Sequence, residues 1–451
     1  KVDASVADAA RVAKAFGVEG VPAGALKAGA RVAASRDEIR LDDASVGIAG
    51  ATATAAGTLG TGGEPRADLK VGLQVADLAK LRSGLPAAPL SFDGRLVVSG
   101  ERVELKDAKG RLAKSNFALR FAMRGRDKRR VDAALSSPRI DLNPILEGKT
   151  AEAKPARKPK AKYVFGEAPL PLDALKDVDA RVHVAIGELR IAAGSLKDLD
   201  ATLSAAGGKA VLEARARGGV GGTLGASVKL SPSGGRKADL AVDLDAKALR
   251  LGLGAGGEIA PEEVPATGAQ VRIEARGASA RELAAGANGT ILVSAGPGKI
   301  GGGLAAVVGG DLLGELVGKL NPFAEQDPYT QLDCGVIRGK IVDGQATLEP
   351  MFMQTRKVAV VAAGHVDLHT EALDVDFNTR PRTGIGISAG MFATPFIEIA
   401  GTLASPRLSV GAKGAAAGAA AAMTGGISVL AQGLFDRARG TQDLCAEEKL
   451  P

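Results

Sequence analysis

Four places in this 451-residue chain hold residue types that could do chemistry. Gly386-Ile387-Ser388-Ala389-Gly390 fits G-x-S-x-G, the turn that presents a nucleophilic serine in α/β hydrolases. In that arrangement the partner histidine follows the serine, whereas His183, His365 and His369, the only histidines, all precede Ser388. Gly252-Leu253-Gly254-Ala255-Gly256-Gly257 fits G-x-G-x-x-G, which cradles a pyrophosphate only when a helix follows at once. "EIAPEEVPA" follows instead, and its two prolines oppose a helix, so the stretch reads as a Gly-rich turn. His365, Asp367 and His369 alternate like ligands along a strand. There the two histidines would stand roughly 13 Å apart, and zinc–nitrogen bonds of about 2.0–2.1 Å do not bridge that gap. These residues read as a solvated polar face. No carboxylate pair stands out as an acid and base, so no catalytic residue, metal ligand or cofactor is assigned and an enzyme is not expected. Cys334 and Cys445 are the only cysteines, and neither lies in a C-x-x-C pair. Two readings stay open: unconnected small apolar residues, or one disulfide formed in an oxidising compartment.

The composition points to an extended sheet rather than a thick core. Aromatic residues make up 3% and tryptophan is absent, while glycine numbers 61. The apolar 45% is mainly Ala, Val and Leu in strand-like runs, material that lines a shallow surface more readily than it fills a deep one. The net charge of +7 suits an anionic membrane surface. Nucleic acid is not expected as a partner, because basic clusters interleaved with stacking aromatics are missing.

The alternation of apolar and polar residues supplies the elements. Asp3 to Phe16 reads as a short helix. From Gly29 a strand cycle begins, with a turn near Arg36-Asp37 and with Ile39 and Leu41 followed by Asp42-Asp43-Ala44. A second copy turns at Ser99-Gly100, and its Val103 and Leu105 are followed by Lys106-Asp107-Ala108. A third turns at Gly187-Glu188 and continues through Leu189, Ile191 and Leu199. Divergent repeats of this kind extend one supersecondary unit along an axis. Residues 1–148 are read as the first part of the sheet, 149–163 as a basic, Pro-rich disordered loop, and 164–300 as the middle part. A short helix is expected around Glu282, stopping at Asn288-Gly289. An amphipathic helix is expected over 301–323, with Leu313, Leu316, Val317 and Leu320 as its stripe. Residues 411–451 read as an Ala/Gly-rich helical tail docked on the sheet end. The chain begins at Lys1 rather than Met, which suggests a fragment or a processed product.

Between them, residues 324–410 form a closing β module. Val336 to Val342 and Gln345 to Pro350 flank Asp343-Gly344, a pair suited to a turn with positive φ. Val358 to Ala363, Gly364 to Leu368 and Ala372 to Phe377 follow as strands. Leu373, Val375 and Phe377 are expected on one face, with Asp374 and Asp376 on the other. The order of a Cys-containing strand, an Asp-Gly hairpin, Gly364-His365-Val366-Asp367-Leu368, a Leu-Asp-Val-Asp strand and Gly401-Thr402-Leu403-Ala404-Ser405-Pro406 resembles the C-terminal region of the AsmA family. The resemblance covers this module and lies in its "G-x-V-D-L" and "G-T-L-x-x-P" phrases.

AsmA-like proteins are bridge-like lipid carriers of the bacterial envelope, and the resemblance implies a periplasmic chain. It also implies an N-terminal inner-membrane helix absent from these residues, and it favours a Cys334–Cys445 disulfide. The fold expected is mainly β: an elongated, twisted, mostly antiparallel sheet curled into a U-shaped hydrophobic groove, with a few short helices toward the C-terminal end. Its function is then a conduit that carries phospholipid between inner and outer membranes in support of outer-membrane assembly. Val358, Val360, Leu373, Val375, Phe377, Ile397 and Ile399 are the candidates to touch acyl chains. The alternative is a non-enzymatic scaffold for outer-membrane protein assembly, with envelope proteins as partners.

Overall fold

A computed structural model describes residues 1–7, 24–81, 85–126, 128–143, 163–191, 194–251, 259–301, 329–356, 358–381, 397–410 and 445. The linker after Gly148, both glycine motifs, the expected helix over 301–323 and the Ala/Gly-rich tail apart from Cys445 lie outside them. The chain is mainly β and mostly antiparallel, and it divides into two units.

The first unit runs from Lys1 to Ala156 and takes in Asp173–Ile191 and Leu196–Leu212. Its strands begin with β1 (Val2–Val6), β2 (Leu26–Ala34), β3 (Glu38–Ile48), β4 (Ala51–Gly60), β5 (Arg66–Val75) and β6 (Leu90–Ser99). They continue with β7 (Arg102–Leu112), β8 (Ser115–Arg124), β9 (Arg129–Asp141), β10 (Val178–Ile191) and β11 (Gly194–Ala206). β1 to β9 pair in sequence, each antiparallel to the last. β10 lies parallel to β9. Two short helices, α1 (Leu78–Leu81) and α2 (Leu172–Lys176), sit in connections.

β12 (Lys209–Gly218) spans the boundary. The second unit holds β13 (Thr223–Pro232), β14 (Ala238–Leu249), β15 (Thr267–Gly277), helix α3 (Ala280–Ala285), β16 (Asn288–Ala295) and β17 (Gly298–Gly301). It ends with β18 (Tyr329–Val342), β19 (Gln345–Thr355), β20 (Val358–Asp367), β21 (Ala372–Pro381), β22 (Ile397–Thr402) and β23 (Ser405–Val410). β16 and β17 both pair with β18, and the remaining strands follow one another antiparallel.

Three local readings are corrected. Asp3 to Val6 is not helical but part of β1, whose Val2 to Val6 pair with Ala30 to Leu26. The ladder offers these backbone groups partners, so residues 3–6 extend. Gly187-Glu188 is not a turn: Gly187 lies inside β10, where a Cβ would come within 2.7 Å of the Pro138 carbonyl oxygen. Gly364 likewise does not split its strand. It sits mid-β20, where a Cβ would stand 2.4 Å from the Asp374 carbonyl oxygen. Both glycines mark close strand approach rather than chain reversal. The short helix near Glu282 does form. Ser279 caps it by accepting from the Glu282 N–H, and it stops at Gly286, two residues before β16 begins.

Between β18 and β19 the Asp343-Gly344 turn is as expected, with φ of 44° and 73°. A two-residue hairpin matches the sheet's twist when both central residues take positive φ. At Gly344 a Cβ would lie 2.3 Å from the Ala285 carbonyl oxygen. Gly344→Ala is therefore expected to cost about 2 kcal/mol or more, from backbone strain and that contact. A chemical-denaturation midpoint equal to that of the unchanged chain would contradict this.

Candidate functional site

The candidate site is a sheet face rather than a cleft. In an antiparallel ladder, directly opposed residues point to the same side, so the registers identify each face. In the second unit one rung reads Ala226, Leu244, Val271, Ile291, Gly339, Leu348, Gly364, Val375, Ile399. Every member is aliphatic or glycine. The adjacent rung, on the opposite face, reads Ser227, Asp243, Arg272, Thr290, Lys340, Thr347, His365, Asp374, Ala400. The first unit repeats the arrangement: Val32, Leu41, Gly57, Leu69, Leu96, Leu105, Phe121, Ala133 and Val182 share a rung. The next rung carries Arg40, Asp68, Glu104, Asp132 and Arg181.

Bulges keep this alternation in phase. Leu41 and Ala44 are three residues apart, an odd spacing that would put them on opposite faces of a regular strand. β3 carries one extra residue there, because Leu41 pairs with Gly57 and Ala44 with Ala55. The same happens between Leu105 and Ala108 in β7, between Ala246 and Leu249 in β14, and between Leu348 and Met351 in β19. Asp107 and Ala248 take positive φ at two of these sites, and so does Asp198 within Leu196-Lys197-Asp198-Leu199. One inserted residue restores parity and adds local twist.

Of the candidate contacts, Val360 and Val375 are buried and Leu373 and Ile399 half-buried. By register, Leu373, Val375 and Ile399 lie on the aliphatic face, and Val360 joins it through Met353. Val358 pairs with Pro381 and Phe377 with Ala362 and Ile397; the side chains of Val358, Phe377 and Ile397 lie outside the description. Ile337 also belongs to this face and is 39% exposed. Sequence reading passes over it because Val336 and Ile337 are adjacent and both apolar, so alternation alone cannot assign their sides. The ladder decides: Ile337 opposes Val293 and Met351. In the first unit, Val32 and Val46 of the corresponding face are exposed as well.

The charged face is wired with ion pairs. Asp243–Arg272 and Asp239–Arg276 stand at 3.5 and 3.6 Å. In the first unit Arg95 grips Asp68, and its hydrogen bond holds the Asp68 carboxyl below its ordinary range. A cavity of about 690 Å³ in the second unit is lined by Gln270, Arg272, Thr290, Leu292, Arg338, Lys340 and Thr347, together with Ile291 and Gly339 of the aliphatic rung. Within it Arg272 faces Asp243, and Arg338 has an interaction of its own.

Val336 and Phe352 interrupt this face with an apolar island, where they pack with Cys334, Leu292, Val361 and Cys445. Cys334 and Cys445 are joined in a disulfide across 111 positions. The bond fixes one point of the C-terminal segment over the island. Replacing Cys445 by Ser, or reducing the bond, is expected to cost as much as about 5 kcal/mol by loop-closure entropy. Thermal melts with and without reductant measure it, and coincident melts would refute it.

His365 lies within β20, whereas Asp367 ends that strand and His369 stands in the turn that follows. Asp367 accepts from the Thr370 hydroxyl at 2.8 Å, the His369 backbone N–H at 2.9 Å and the Gln345 side-chain amide at 2.8 Å. The Thr370 hydrogen bond contributes most to lowering its pKa to about 2. A depressed carboxyl stabilises the fold above its unfolded value of about 4, and that contribution fades as pH falls toward 2. Asp367→Asn is expected to flatten this part of the acid-unfolding curve, and an unchanged slope between pH 4 and 2 would contradict it. Among the described residues no group of His, Cys, Asp and Glu converges as a metal site, and no helix is long and apolar enough to cross a membrane.

Compared with protein-family models, curated proteins and solved structures, the chain matches none.

Proposed function

We propose that the aliphatic sheet face carries the acyl chains of phospholipid, and that the protein is a periplasmic conduit between the two membranes of the bacterial envelope. One observation carries this reading: the face runs without a polar side chain along the central rung from β13 to β22, yet Ile337 within it is 39% exposed. Apolar surface of this extent in water marks a binding surface or an aggregation liability. Aliphatic side chains without hydrogen-bonding groups fit hydrocarbon tails, and the charged reverse side keeps the sheet solvated. The resemblance of the closing module to the AsmA family supports the same reading. In this proposal the sheet curves about the aliphatic face to form a groove.

Ile337 is the position to test. A photo-cross-linking amino acid placed there, in protein isolated from the envelope, is expected to yield adducts with the mass of phospholipid. Adducts that are polypeptides would favour the scaffold for outer-membrane protein assembly instead. Ile337→Asp is expected to lower co-purifying lipid severalfold while moving the melting temperature by only a few degrees, since the residue is partly exposed. Lipid content unchanged by the substitution would refute the proposal.

A further inference from the structure

The aliphatic face of the second unit is closed by protein along one rim. Ala275, Ile341 and Ala346, at strand ends, are buried under Leu283 of α3 and under Leu170. Leu170 belongs to a strap, residues 163–171, that runs past α3 without forming a strand of its own. Its backbone is held by Leu170 N–H to Ala278 O at 2.8 Å, Arg281 N–H to Gly166 O at 3.0 Å and a bridge between Pro169 and Ser279.

The strap's leading end is fastened by one side chain from far along the chain. Glu371 is fully buried, and its carboxylate accepts the N–H groups of Val164 at 2.6 Å and Phe165 at 2.8 Å. Its own carbonyl accepts from the Leu403 N–H, so Glu371 is fixed in the β20–β21 turn. Arg281 completes the fastening. It donates to the His369 carbonyl at 3.1 Å and lies 3.5 Å over the Tyr163 ring. The strap buries little side-chain surface: Val164 is 58% exposed, Gly166, Glu167 and Ala168 face solvent, and Glu167 meets Arg281 at 3.5 Å.

A segment with so little buried surface opens at far lower cost than the sheet beneath it. We propose that the strap is a lateral gate on this rim, with the Glu371 carboxylate as its fastener, and that its release uncovers Leu283, Ile341 and Ala346 to an entering acyl chain. The gate rests on the lipid-carrying reading above. It adds a place of entry: acyl chains reach the face sideways, between strap and strand ends.

The test compares the unchanged chain with Glu371→Ala, which removes the acceptor, and Phe165→Pro, which removes one donor and touches only the strap. Hydrogen exchange at residues 163–170 reports strap release, and uptake of a fluorescent-acyl phosphatidylglycerol from vesicles reports entry. Losing hydrogen bonds to a buried carboxylate is expected to speed exchange in the strap about tenfold or more, with β19 and β20 still protected. Uptake is expected to accelerate in step. Should Glu371→Ala fail to fold, Phe165→Pro decides alone. A released strap with unchanged uptake overturns the gate and leaves the lipid reading standing; so does a strap that stays protected in both variants. No uptake by the unchanged chain overturns the lipid reading, and the gate with it.

Discussion

The architecture depends on side-chain parity being conserved from strand to strand. A slip of one residue in β14 would turn Leu240, Val242 and Leu244 to the charged side and bring Asp239, Asp243 and Asp245 onto the aliphatic face. Magnitudes decide which register holds. Moving an aliphatic side chain between water and an apolar surface is worth up to about 1.5–3 kcal/mol, whereas an exposed ion pair contributes about 0–1 kcal/mol. The pairs Asp239–Arg276 and Asp243–Arg272 are both largely solvated. They decorate a register that aliphatic contact has already chosen, and their larger effect is to keep one side of a long sheet wet.

The bulges follow from the same constraint. Wherever two aliphatic residues stand three apart, the chain either flips its pattern or inserts a residue. In β3, β7, β14 and β19 it inserts one. The two residues that oppose a single partner position at these bulges are Asp42-Asp43, Lys106-Asp107, Lys247-Ala248 and Glu349-Pro350, mostly charged or unable to donate to a ladder. Asp107 at φ 51° illustrates why Asp suits the site, since its short polar side chain lowers the cost of left-handed backbone.

Much of this was legible from alternation alone. Leu373-Asp374-Val375-Asp376 declares its faces, and Asp343-Gly344 declares its turn. The recurring Asp-Ala after Leu41 and Leu105 was visible as a repeat, though its meaning as a bulge needed the partner strand. What sequence obscures is whatever depends on a neighbour. Gly187 and Gly364 look like turn residues until the adjacent backbones show that no Cβ fits. Val336 and Ile337 look equivalent, yet one is buried on the island beneath Cys445 and the other belongs to the aliphatic face. Glu371 looks like an ordinary surface acid. Its burial arises from a contact with Val164 and Phe165 more than two hundred positions away, which no local pattern encodes.

The chemistry of the aliphatic face also limits what it can recognise. Specific pockets orient a ligand with a few placed donors and acceptors, and the rung from Ala226 to Ile399 contains none. An occupant held there gains contact area and no directional hydrogen bond from the side chains. Selection on such a surface runs on length and apolarity, at about 0.8 kcal/mol per buried methylene, and is indifferent to rotation about the chain axis. Val, Ile and Leu interspersed with Gly339 and Gly364 give that surface shallow relief, which offers a sliding chain no deep trap. Under the proposed function, such a surface would bind in proportion to length and grip no single position, as translocation along a sheet would require. In the proposed carrier, discrimination between headgroups would fall to groups off this face.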